Sequence, residues 1–435
     1  MVDVLSGVGQ PETQSVGSRK RQIALAAGMI GHSLEWYDFA VYAFVATQIA
    51  SHFFPSSSGT ASLLAALATF GVGFVARPIG GVLFGRVADS SGRRTSLIVS
   101  YVLMAIATVA MGLLPSYQSI GILAPILLVA ARLLQGLAAG GEVAGAIVFL
   151  VEWGGNGRRG LAGSFHQVGS GVGFLLGSLV VALLTTLLST EAMQEWGWRI
   201  PFLLGAVIGP LGYLLRRNVD ETPEFVKIKE SGAAVPDLAM SEWLRFALRA
   251  FLFNAFWSII FYFFLTYLPT YAQRELHLSS AVAFWVSTAT LFGYVFLLPL
   301  FGHISDRVGR KPLFIASCLG FAVFLYPVFS HLSVDNISTA TYFGVSVLFV
   351  TFLAMFAGPA PAMISEIFPT KKRGTFLGLG YSMGTVVFGG FTPFIALWLT
   401  DKFASPLAPI VYIIVAAVIS GAYILTLKET AHDQS

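Results

Sequence analysis

The chain has 435 residues, of which 56% are hydrophobic and only 11% are charged, and its formal net charge is +4. Soluble globular proteins carry about 25% charged residues, so a chain of this composition must have lipid as its solvent. This excludes a cytosolic enzyme, a nucleic-acid-binding protein and a disordered chain. The single cysteine, Cys318, excludes an intrachain disulfide and Cys-x-x-Cys chemistry.

Apolar runs long enough to cross a bilayer recur twelve times along the chain. The first follows a basic cluster at residues 19–21 and is too long for the apolar core of a cleaved signal peptide. Because a backbone in lipid must satisfy its own hydrogen bonds, each run is predicted to be a helix. The predicted spans are 22–50, 61–86, 95–114, 120–151, 161–188, 199–216, 244–271, 281–303, 312–331, 338–367, 375–400 and 406–427.

Lysine and arginine are distributed very unevenly between the two sides of these spans. Of the 26 basic residues, 21 lie in tails, loops or span ends on the side of the N-terminus, three lie on the opposite side and two lie deep within spans. The positive-inside rule therefore predicts a multi-pass protein of the plasma membrane, the inner membrane in a bacterium, with both termini in the cytoplasm. The expected division is a tail (1–21), an N-terminal six-helix half (22–216), a cytoplasmic linker (217–243), a C-terminal six-helix half (244–427) and a second tail (428–435).

Two charged loops repeat in register between the halves. Asp89 lies in the loop Gly-Arg-Val-Ala-Asp-Ser-Ser-Gly-Arg-Arg, and Asp306 lies 217 residues later in Gly-His-Ile-Ser-Asp-Arg-Val-Gly-Arg-Lys. Glu152 and Glu366 form a second matched pair, 214 residues apart, and each is followed by basic residues and a glycine. These matches indicate a duplicated six-helix unit with a pseudo-two-fold axis along the membrane normal and a cleft between its halves.

The repeated loops are predicted to form a gate on the cytoplasmic side. Charged hydrogen bonds between an acidic residue, a basic pair and neighbouring helix ends can hold that side shut. The alternative is a topological anchor in which the basic residues only obey the positive-inside rule. Two copies at equivalent positions favour the gate, whose predicted residues are Asp89, Arg93, Arg94, Asp306, Arg310, Glu152, Glu366 and Arg77.

The loops resemble the signature of the major facilitator superfamily, although Ser90 stands where the first copy usually has a basic residue. The run Arg-Leu-Leu-Gln-Gly at 132–136 is similar to the second motif of that superfamily, which is usually linked to proton coupling. Further segments resemble the metabolite:proton symporters, which include citrate, α-ketoglutarate, shikimate and proline/betaine carriers. These segments lie at 34–39, 77–81, 140–142, 195–202 and 221–225. The resemblance implies an all-α membrane protein of twelve transmembrane helices in two six-helix halves, with spans 1 and 4 lining the cleft.

Five ionisable residues are expected deep in the membrane, and all lie in the N-terminal half: Glu35, Asp38, Arg77, Arg132 and Glu142. Such residues are rare and costly in lipid, which makes them candidates for function. We expect Arg132 to pair with Asp38 or Glu35 in one state, so that a substrate anion binding the arginine frees the carboxylate to accept a proton. A static ion pair between helices is the alternative. Arg77 and Glu142 are expected to pair near the inner end, in a structural, gating or transport role.

Weaker candidates complete the predicted sites. His32 lies three residues before Glu35 and is either a proton relay or, as we favour, a hydrogen-bonded structural group. The proton-coupling set is therefore Asp38, Glu35, Arg132, Glu142 and His32. The substrate-binding set is Arg132, Tyr37, Gln135, Gln167, Asn254, Trp257 and Tyr381.

These patterns predict a proton-coupled symporter that imports a small organic acid by alternating access. A di- or tricarboxylate such as citrate or α-ketoglutarate is preferred because Arg132 is a permanent cation. The alternative substrate is a zwitterionic osmolyte such as proline or betaine. The expected partners are the substrate, protons and the lipid bilayer, without nucleic acid, cofactor or metal, and one chain is expected to suffice. A channel is not favoured, because the sequence does not supply the continuous polar pore that a channel needs. An enzyme is not favoured either, because the sequence has no paired histidines and no nucleophile–base set.

Overall fold

The structure is a computed structural model that describes residues 18–91, 93–140, 158–206, 240–332, 337–366 and 380–431. Every regular element in these ranges is helical. Eight helices there are long and apolar enough to cross a membrane, and two shorter apolar helices, Ile98–Leu113 and Leu123–Ala139, accompany them. The predicted all-α membrane architecture is therefore confirmed. Most of the predicted linker lies outside the described residues.

We number the membrane spans 1 to 12 in chain order. In the N-terminal half they are Ser18–Phe44 with Ala46–Phe53 (span 1), Gly59–Val75 with Arg77–Ser91 (span 2), Arg93–Leu113 (span 3), Leu123–Ala139 (span 4), Arg159–Leu187 (span 5) and the start of span 6 at Ile200–Leu203. Short helices connect them at Tyr117–Ile120, Thr190–Glu195 and Gly197–Arg199, the last a 3₁₀ turn.

The C-terminal half follows the same plan. Its spans are Met240–Tyr262, Phe263–Tyr267 and Leu268–Arg274 (span 7), Ser280–Val308 (span 8), Lys311–Leu332 (span 9), Thr339–Ala357 with Ala360–Glu366 (span 10), Ser382–Gly384, Thr385–Gly390 and Thr392–Phe403 (span 11) and Ala408–Thr426 (span 12). The segments Phe263–Tyr267 and Thr385–Gly390 are π-helical. Most observed span ends lie within a few residues of the predicted ones.

Serine residues define where four helices begin on the side opposite the basic loops. In each, the serine hydroxyl accepts a hydrogen bond from the backbone N–H three residues later. Such capping satisfies one of the N–H groups that a helix start leaves without a partner. The four caps are Ser58, Ser189, Ser279 and Ser338.

Prolines interrupt spans from both halves. A proline lacks a backbone N–H and crowds the preceding turn, so the helix must break, bend or widen near it. The two π-helical segments lie just before the prolines of spans 7 and 11. A helix break lies just before the proline of span 2, and the break in span 10 contains its proline. The prolines concerned are Pro78, Pro269, Pro359 and Pro393.

Small residues bring the backbones of neighbouring spans into close contact. A Cβ atom added to Gly136 of span 4 would overlap the carbonyl oxygen of Gly73 in span 2. A Cβ added to Gly173 of span 5 would lie 2.7 Å from the Cβ of Trp36 in span 1. Small side chains are the usual way for membrane helices to approach closely. This packing places side chains of spans 1, 2, 4 and 5 within reach of one another.

Candidate functional site

Ionisable side chains from spans 1, 2 and 4 are buried together inside the N-terminal half. Glu35, Asp38, Arg77 and Arg132 each expose 4% of their surface or less. Nη2 of Arg77 lies 4.0 Å from Oε1 of Glu35. Arg77 therefore belongs to this central cluster and not to the cytoplasmic gate, where we expected it. The reason is the break in span 2, because Arg77 begins the helical segment after the break and its side chain extends toward span 1.

Arg132 and Asp38 are connected through neutral side chains in this structure. Nη1 of Arg132 donates to Oε1 of Gln135 at 2.6 Å, and Nε2 of Gln135 donates to the hydroxyl of Thr108 at 2.7 Å. The side chain of Thr108 in turn hydrogen-bonds Asp38. Arg132 also donates to the carbonyl oxygen of Phe70. Among the described residues neither carboxylate lies within 4.0 Å of Arg132 as an ion pair, so the expected direct pairing is not the one adopted in this state.

Aromatic rings surround both guanidinium groups. The Cζ atom of Arg77 lies 4.4 Å from the ring centres of Phe39 and Phe74 and 5.5 Å from that of Trp36. Contact with the faces of aromatic rings stabilises a cation that has left water. The Cζ atom of Arg132 lies 4.4 to 5.2 Å from three ring centres, those of Tyr42, Phe70 and Phe39.

The C-terminal half closes this cluster from the other side. The ring centre of Trp36 lies 5.4 Å from that of Phe261 and 6.3 Å from that of Tyr262 in span 7. Tyr262 also packs on Phe74, with ring centres 5.3 Å apart. The hydroxyl of Tyr262 is buried and makes no hydrogen bond within the described part of the chain. The central cluster therefore lies at the interface between the halves.

The predicted substrate residues of the C-terminal half lie together beside this interface. Nδ2 of Asn254 donates to the carbonyl oxygen of Tyr381 at 2.8 Å and to the hydroxyl of Thr385 at 2.9 Å. The rings of Trp257 and Tyr381 make an edge-to-face contact, with centres 5.6 Å apart. Tyr381 is close enough to Arg77 and Glu35 to interact with them electrostatically. Spans 7 and 11 thus contribute polar and aromatic groups to a site whose charges come from the N-terminal half.

Two other predicted substrate residues point elsewhere. The hydroxyl of Tyr37 donates to the carbonyl oxygen of Pro201 at 2.9 Å, which ties span 1 to span 6. The amide of Gln167 bonds Nδ1 of His166 at 3.2 Å. The Tyr37 bond therefore joins two helices of the N-terminal half, whereas the Gln167 bond lies within span 5. Glu142 lies outside the described residues.

His32 lies at the edge of the cluster, where span 1 meets span 5. Its Nε2 accepts a hydrogen bond from Nε1 of Trp36 at 3.0 Å and lies 3.0 Å from the hydroxyl of Ser170. Its Nδ1 is 3.8 Å from Oε2 of Glu35. The ring centre of His166 is 4.3 Å from that of His32. Within the described ranges, no group of three or more His, Cys, Asp or Glu side chains is placed to hold a metal ion.

The second copy of the repeated loop joins the two halves on the predicted cytoplasmic side. The carboxylate of Asp306 accepts the backbone N–H groups of Gly160 and Leu161, at 2.7 and 2.9 Å. Arg310 donates to Asp306 at 2.7 Å and to Glu366 at 3.2 Å. Burial lowers the pKa of the Arg310 guanidinium, but the two carboxylates outweigh burial and hold that pKa above its ordinary value. The side chains of the first copy, at Asp89, Arg93, Arg94 and Glu152, lie outside the described residues.

A segment after span 12 adds to this charged group. The carboxylate oxygens of Glu429 accept the backbone N–H groups of Arg310 and Lys311, each at 2.9 Å. The hydroxyl of Thr430 bonds Glu366. Burial raises the pKa of Glu429, but hydrogen bonds from backbone N–H groups lower it more, so the pKa lies below its ordinary value. Glu429 was not predicted from the sequence, because it lies 118 residues from Lys311 and no local pattern shows which loop it faces.

Comparisons with known proteins point to one kind of molecule. A family model described as "Sugar (and other) transporter" matches residues 23–234, and one described as "Major Facilitator Superfamily" matches residues 264–435. A glycine betaine/proline/ectoine/pipecolic acid transporter of Dickeya dadantii is 36% identical over 422 residues, which cover 94% of this chain and 83% of the relative. A proline/betaine transporter of Salmonella typhimurium is 35% identical, over 95% of this chain and 84% of the relative.

More distant matches agree with these. A putative proline/betaine transporter of Staphylococcus aureus is 33% identical, over 94% of this chain and 89% of the relative. The crystal structure of a D-xylose–proton symporter superposes with a TM-score of 0.74 at 20% identity and covers 96% of this chain and 100% of the symporter. A partially occluded, inward-open structure of the Escherichia coli xylose transporter gives a TM-score of 0.75 at 19% identity, over 96% of this chain and 100% of the transporter. At 19–20% identity these solved structures support the fold alone.

Proposed function

Because this chain belongs to the major facilitator superfamily and is thus a membrane transporter, we propose that it imports a zwitterionic osmolyte of the betaine or proline class together with a proton. From the sequence alone, a di- or tricarboxylate was the preferred substrate and the zwitterion was the alternative. The Dickeya, Salmonella and Staphylococcus relatives are named for betaine and proline, which supports the alternative better. The charge distribution supports a plasma-membrane location with both termini in the cytoplasm.

The charge balance of the central cluster is the observation that carries this choice. The described residues place two guanidinium groups, Arg77 and Arg132, beside two carboxylates, Glu35 and Asp38, and all four are buried. A zwitterion adds no net charge to such a site. A di- or tricarboxylate adds two or three negative charges that no further buried cation in the described residues offsets, and unpaired charge is expensive to bury. With Asp38 ionised, the described part of the cluster is balanced and therefore favours a substrate with one charge of each sign.

The cluster also offers a partner for each end of such a molecule. Nε and Nη2 of Arg77 make no hydrogen bond within the described part of the chain. These donors are available to a carboxylate, which a guanidinium binds with two parallel hydrogen bonds. A quaternary ammonium group has no N–H to donate and is recognised by aromatic faces. The buried rings of Trp36, Phe74 and Tyr262 supply such faces next to Glu35.

Asp38 is the group that we assign to the proton. It is buried, its Oδ1 makes no hydrogen bond among the described residues, and it is connected to Arg132 through Thr108 and Gln135. A proton on Asp38 neutralises the carboxylate and leaves Arg132 as a cation held by Gln135 and aromatic rings. The proton and the substrate thus bind to different side chains, Asp38 and Arg77, of the same cluster. One chain suffices for this cycle because the cluster lies between its own halves.

A thermal-stability screen of the purified protein tests the substrate class. A ligand that binds the folded state raises the melting temperature. We expect glycine betaine and proline to raise it, and citrate and α-ketoglutarate to leave it unchanged. The Arg77→Gln variant should lose the stabilisation, whereas Arg245→Gln, at an exposed position, should keep it. If only citrate or α-ketoglutarate raised the melting temperature, the substrate would be assigned to the organic acids instead.

A further inference from the structure

The hydrogen bond between Trp36 and His32 fixes the tautomer of the neutral histidine. An indole N–H only donates, and an imidazole nitrogen carries either one in-plane lone pair or one hydrogen. Because Nε1 of Trp36 donates to Nε2 of His32 at 3.0 Å, Nε2 must hold the lone pair. Neutral His32 therefore carries its hydrogen on Nδ1, which faces Oε2 of Glu35 at 3.8 Å.

The surroundings of His32 allow it to accept a second proton. Glu35 lies on the same helix, with its Oε2 3.8 Å from Nδ1 of His32. The hydroxyl of Ser170 in span 5 lies 3.0 Å from Nε2 and can accept a hydrogen bond from a protonated Nε2. Among the described residues, the other ionisable groups that face this region are His166 of span 5, whose ring lies 4.3 Å away, and Arg77 of span 2, which lies 4.0 Å from Glu35.

The ring of Trp36 occupies a position that matters for transport. It packs on Phe174 of span 5 with ring centres 5.7 Å apart, and on Phe261 and Tyr262 across the interface between the halves. The Arg77 guanidinium lies over the same ring. The hydrogen bond to His32 is the polar contact that fixes the orientation of this ring. A change at Nε2 of His32 therefore affects the Trp36 ring, which lies both at the interface between the halves and among the rings proposed to bind the substrate ammonium group.

We propose that His32 is a proton-controlled latch on Trp36. When a proton binds Nε2, its lone pair is used, the Trp36 N–H loses its acceptor, and the new Nε2–H turns to Ser170. The indole ring is then free to move away from its present contacts with span 7. When the proton leaves, the lone pair returns and the ring is held again. Proton occupancy at the edge of the cluster is thereby converted into the position of an aromatic side chain between the halves.

This inference rests on the proposed function for its role in transport, but its physical content can be tested without any substrate. Nitrogen NMR of the purified protein with ¹⁵N-labelled histidine and tryptophan reports the tautomer and protonation of each imidazole. The His32 signals are assigned by their loss in His32→Gln, and the Trp36 indole signal by its loss in Trp36→Phe. We expect neutral His32 to carry hydrogen on Nδ1, and the Trp36 indole signal to shift with the same pH midpoint as His32.

The Trp36→Phe variant gives the sharpest result. It keeps an aromatic ring but removes the donor that stabilises neutral His32, so the His32 midpoint should rise by about one pH unit. The matched control is Trp285→Phe, which removes an indole hydrogen bond to Thr186 at an exposed position away from the cluster. That control should leave the His32 midpoint unchanged.

Three outcomes overturn the latch: hydrogen on Nε2 of neutral His32, a Trp36 indole signal that ignores pH, or an unchanged midpoint in Trp36→Phe. Failure of betaine uptake with the expected NMR behaviour would instead reject the proposed substrate and leave the latch standing. The two ideas can thus fail separately.

Discussion

The carboxylate of Asp306 accepts the backbone N–H of Gly160 at 2.7 Å, although the two residues are 146 positions apart and belong to opposite halves. Gly160 lies in the first turn of span 5, where the free N–H groups and the helix dipole favour a negative charge. Asp306 therefore binds the start of a helix of the other half and simultaneously holds Arg310. This contact joins the two halves on the predicted cytoplasmic side, so we expect that weakening it alters cycling before it alters substrate binding.

Replacing Asp306 by Asn removes the negative charge while conserving size. An amide oxygen can still accept one N–H, but the amide nitrogen then opposes the second N–H, and the bond to Arg310 loses its charge assistance. A loss of about 1.5 kcal/mol shifts the closed-to-open ratio roughly tenfold. We expect net uptake into proteoliposomes to fall by about that factor and the substrate affinity to change less than threefold. Asp401→Asn, at an exposed site, is the control. If Asp306→Asn instead abolished substrate binding but left substrate exchange intact, the assignment of Asp306 to the gate would be contradicted.

Adding a methyl group at Gly160 should disrupt the hydrogen bond between Gly160 and Asp306 through steric overlap. A Cβ there would lie 2.5 Å from the carbonyl oxygen of Gly302 and from the guanidinium of Arg310. The Gly160→Ala variant should therefore slow net uptake several-fold and increase labelling of cysteines introduced on the predicted cytoplasmic side of the cleft. Gly59→Ala also changes a helix start but meets no atom within 4 Å. Equal behaviour of the two variants would show that Gly160 does not control closure.

Arg132 should be needed as a cation of fixed geometry. Lysine conserves the charge but cannot donate to Gln135 and to the Phe70 carbonyl in the same planar arrangement. We expect Arg132→Lys to reduce proton-driven uptake about tenfold, and Arg132→Ala to reduce it further. Substrate exchange without a proton gradient should suffer less, because the substrate is assigned to Arg77. An equal loss in both assays would move Arg132 into the substrate site, and wild-type behaviour would remove it from the mechanism.

The Glu429 carboxylate should make stability depend on pH in a predictable direction. Its pKa in the folded protein is below the ordinary value, so its contribution is complete above the ordinary pKa and is lost as the pH falls through the lower, folded value. The wild type should melt about 1–3 °C above Glu429→Gln at pH 7, and the difference should shrink as the pH falls below the ordinary pKa of a glutamate. Melting curves in detergent measure this. Glu195→Gln, at an exposed site, should show no such dependence; a difference that grows at low pH contradicts the assignment.

Much of the fold was predictable from the chain because lipid imposes long apolar runs and helical hydrogen bonding. Span 5, for example, was predicted at 161–188 and is observed at Arg159–Leu187. Asp306 and Arg310 were also picked out from the sequence, because the repeat marks them twice, and they do contact each other and the start of span 5. Their role as a gate stays a prediction. The capping of span 5 by Asp306 was not predictable, since nothing local to the loop shows which helix start faces it.

The central cluster was only partly predictable, for a physical reason. Charges in lipid are conspicuous, so Glu35 and Arg77 were found, but the partner of each depends on helix rotation and on the break in span 2. Thr108 was missed because a threonine in an apolar helix more often bonds its own backbone. Trp36 and His166 were missed as site residues because the significance of each comes from a contact with His32. The four-residue spacing of His32 and Trp36 was the one available signal.

Uptake of radiolabelled glycine betaine by the purified protein in proteoliposomes tests the central claim most directly. An inward proton gradient is imposed in sodium-free buffer, with and without a protonophore, and Asp38→Asn is measured alongside. The proposed mechanism predicts accumulation that collapses with the protonophore, and an Asp38→Asn protein that exchanges betaine but does not accumulate it. Accumulation that ignores the protonophore, or that Asp38→Asn leaves intact, would contradict proton-coupled transport through this cluster.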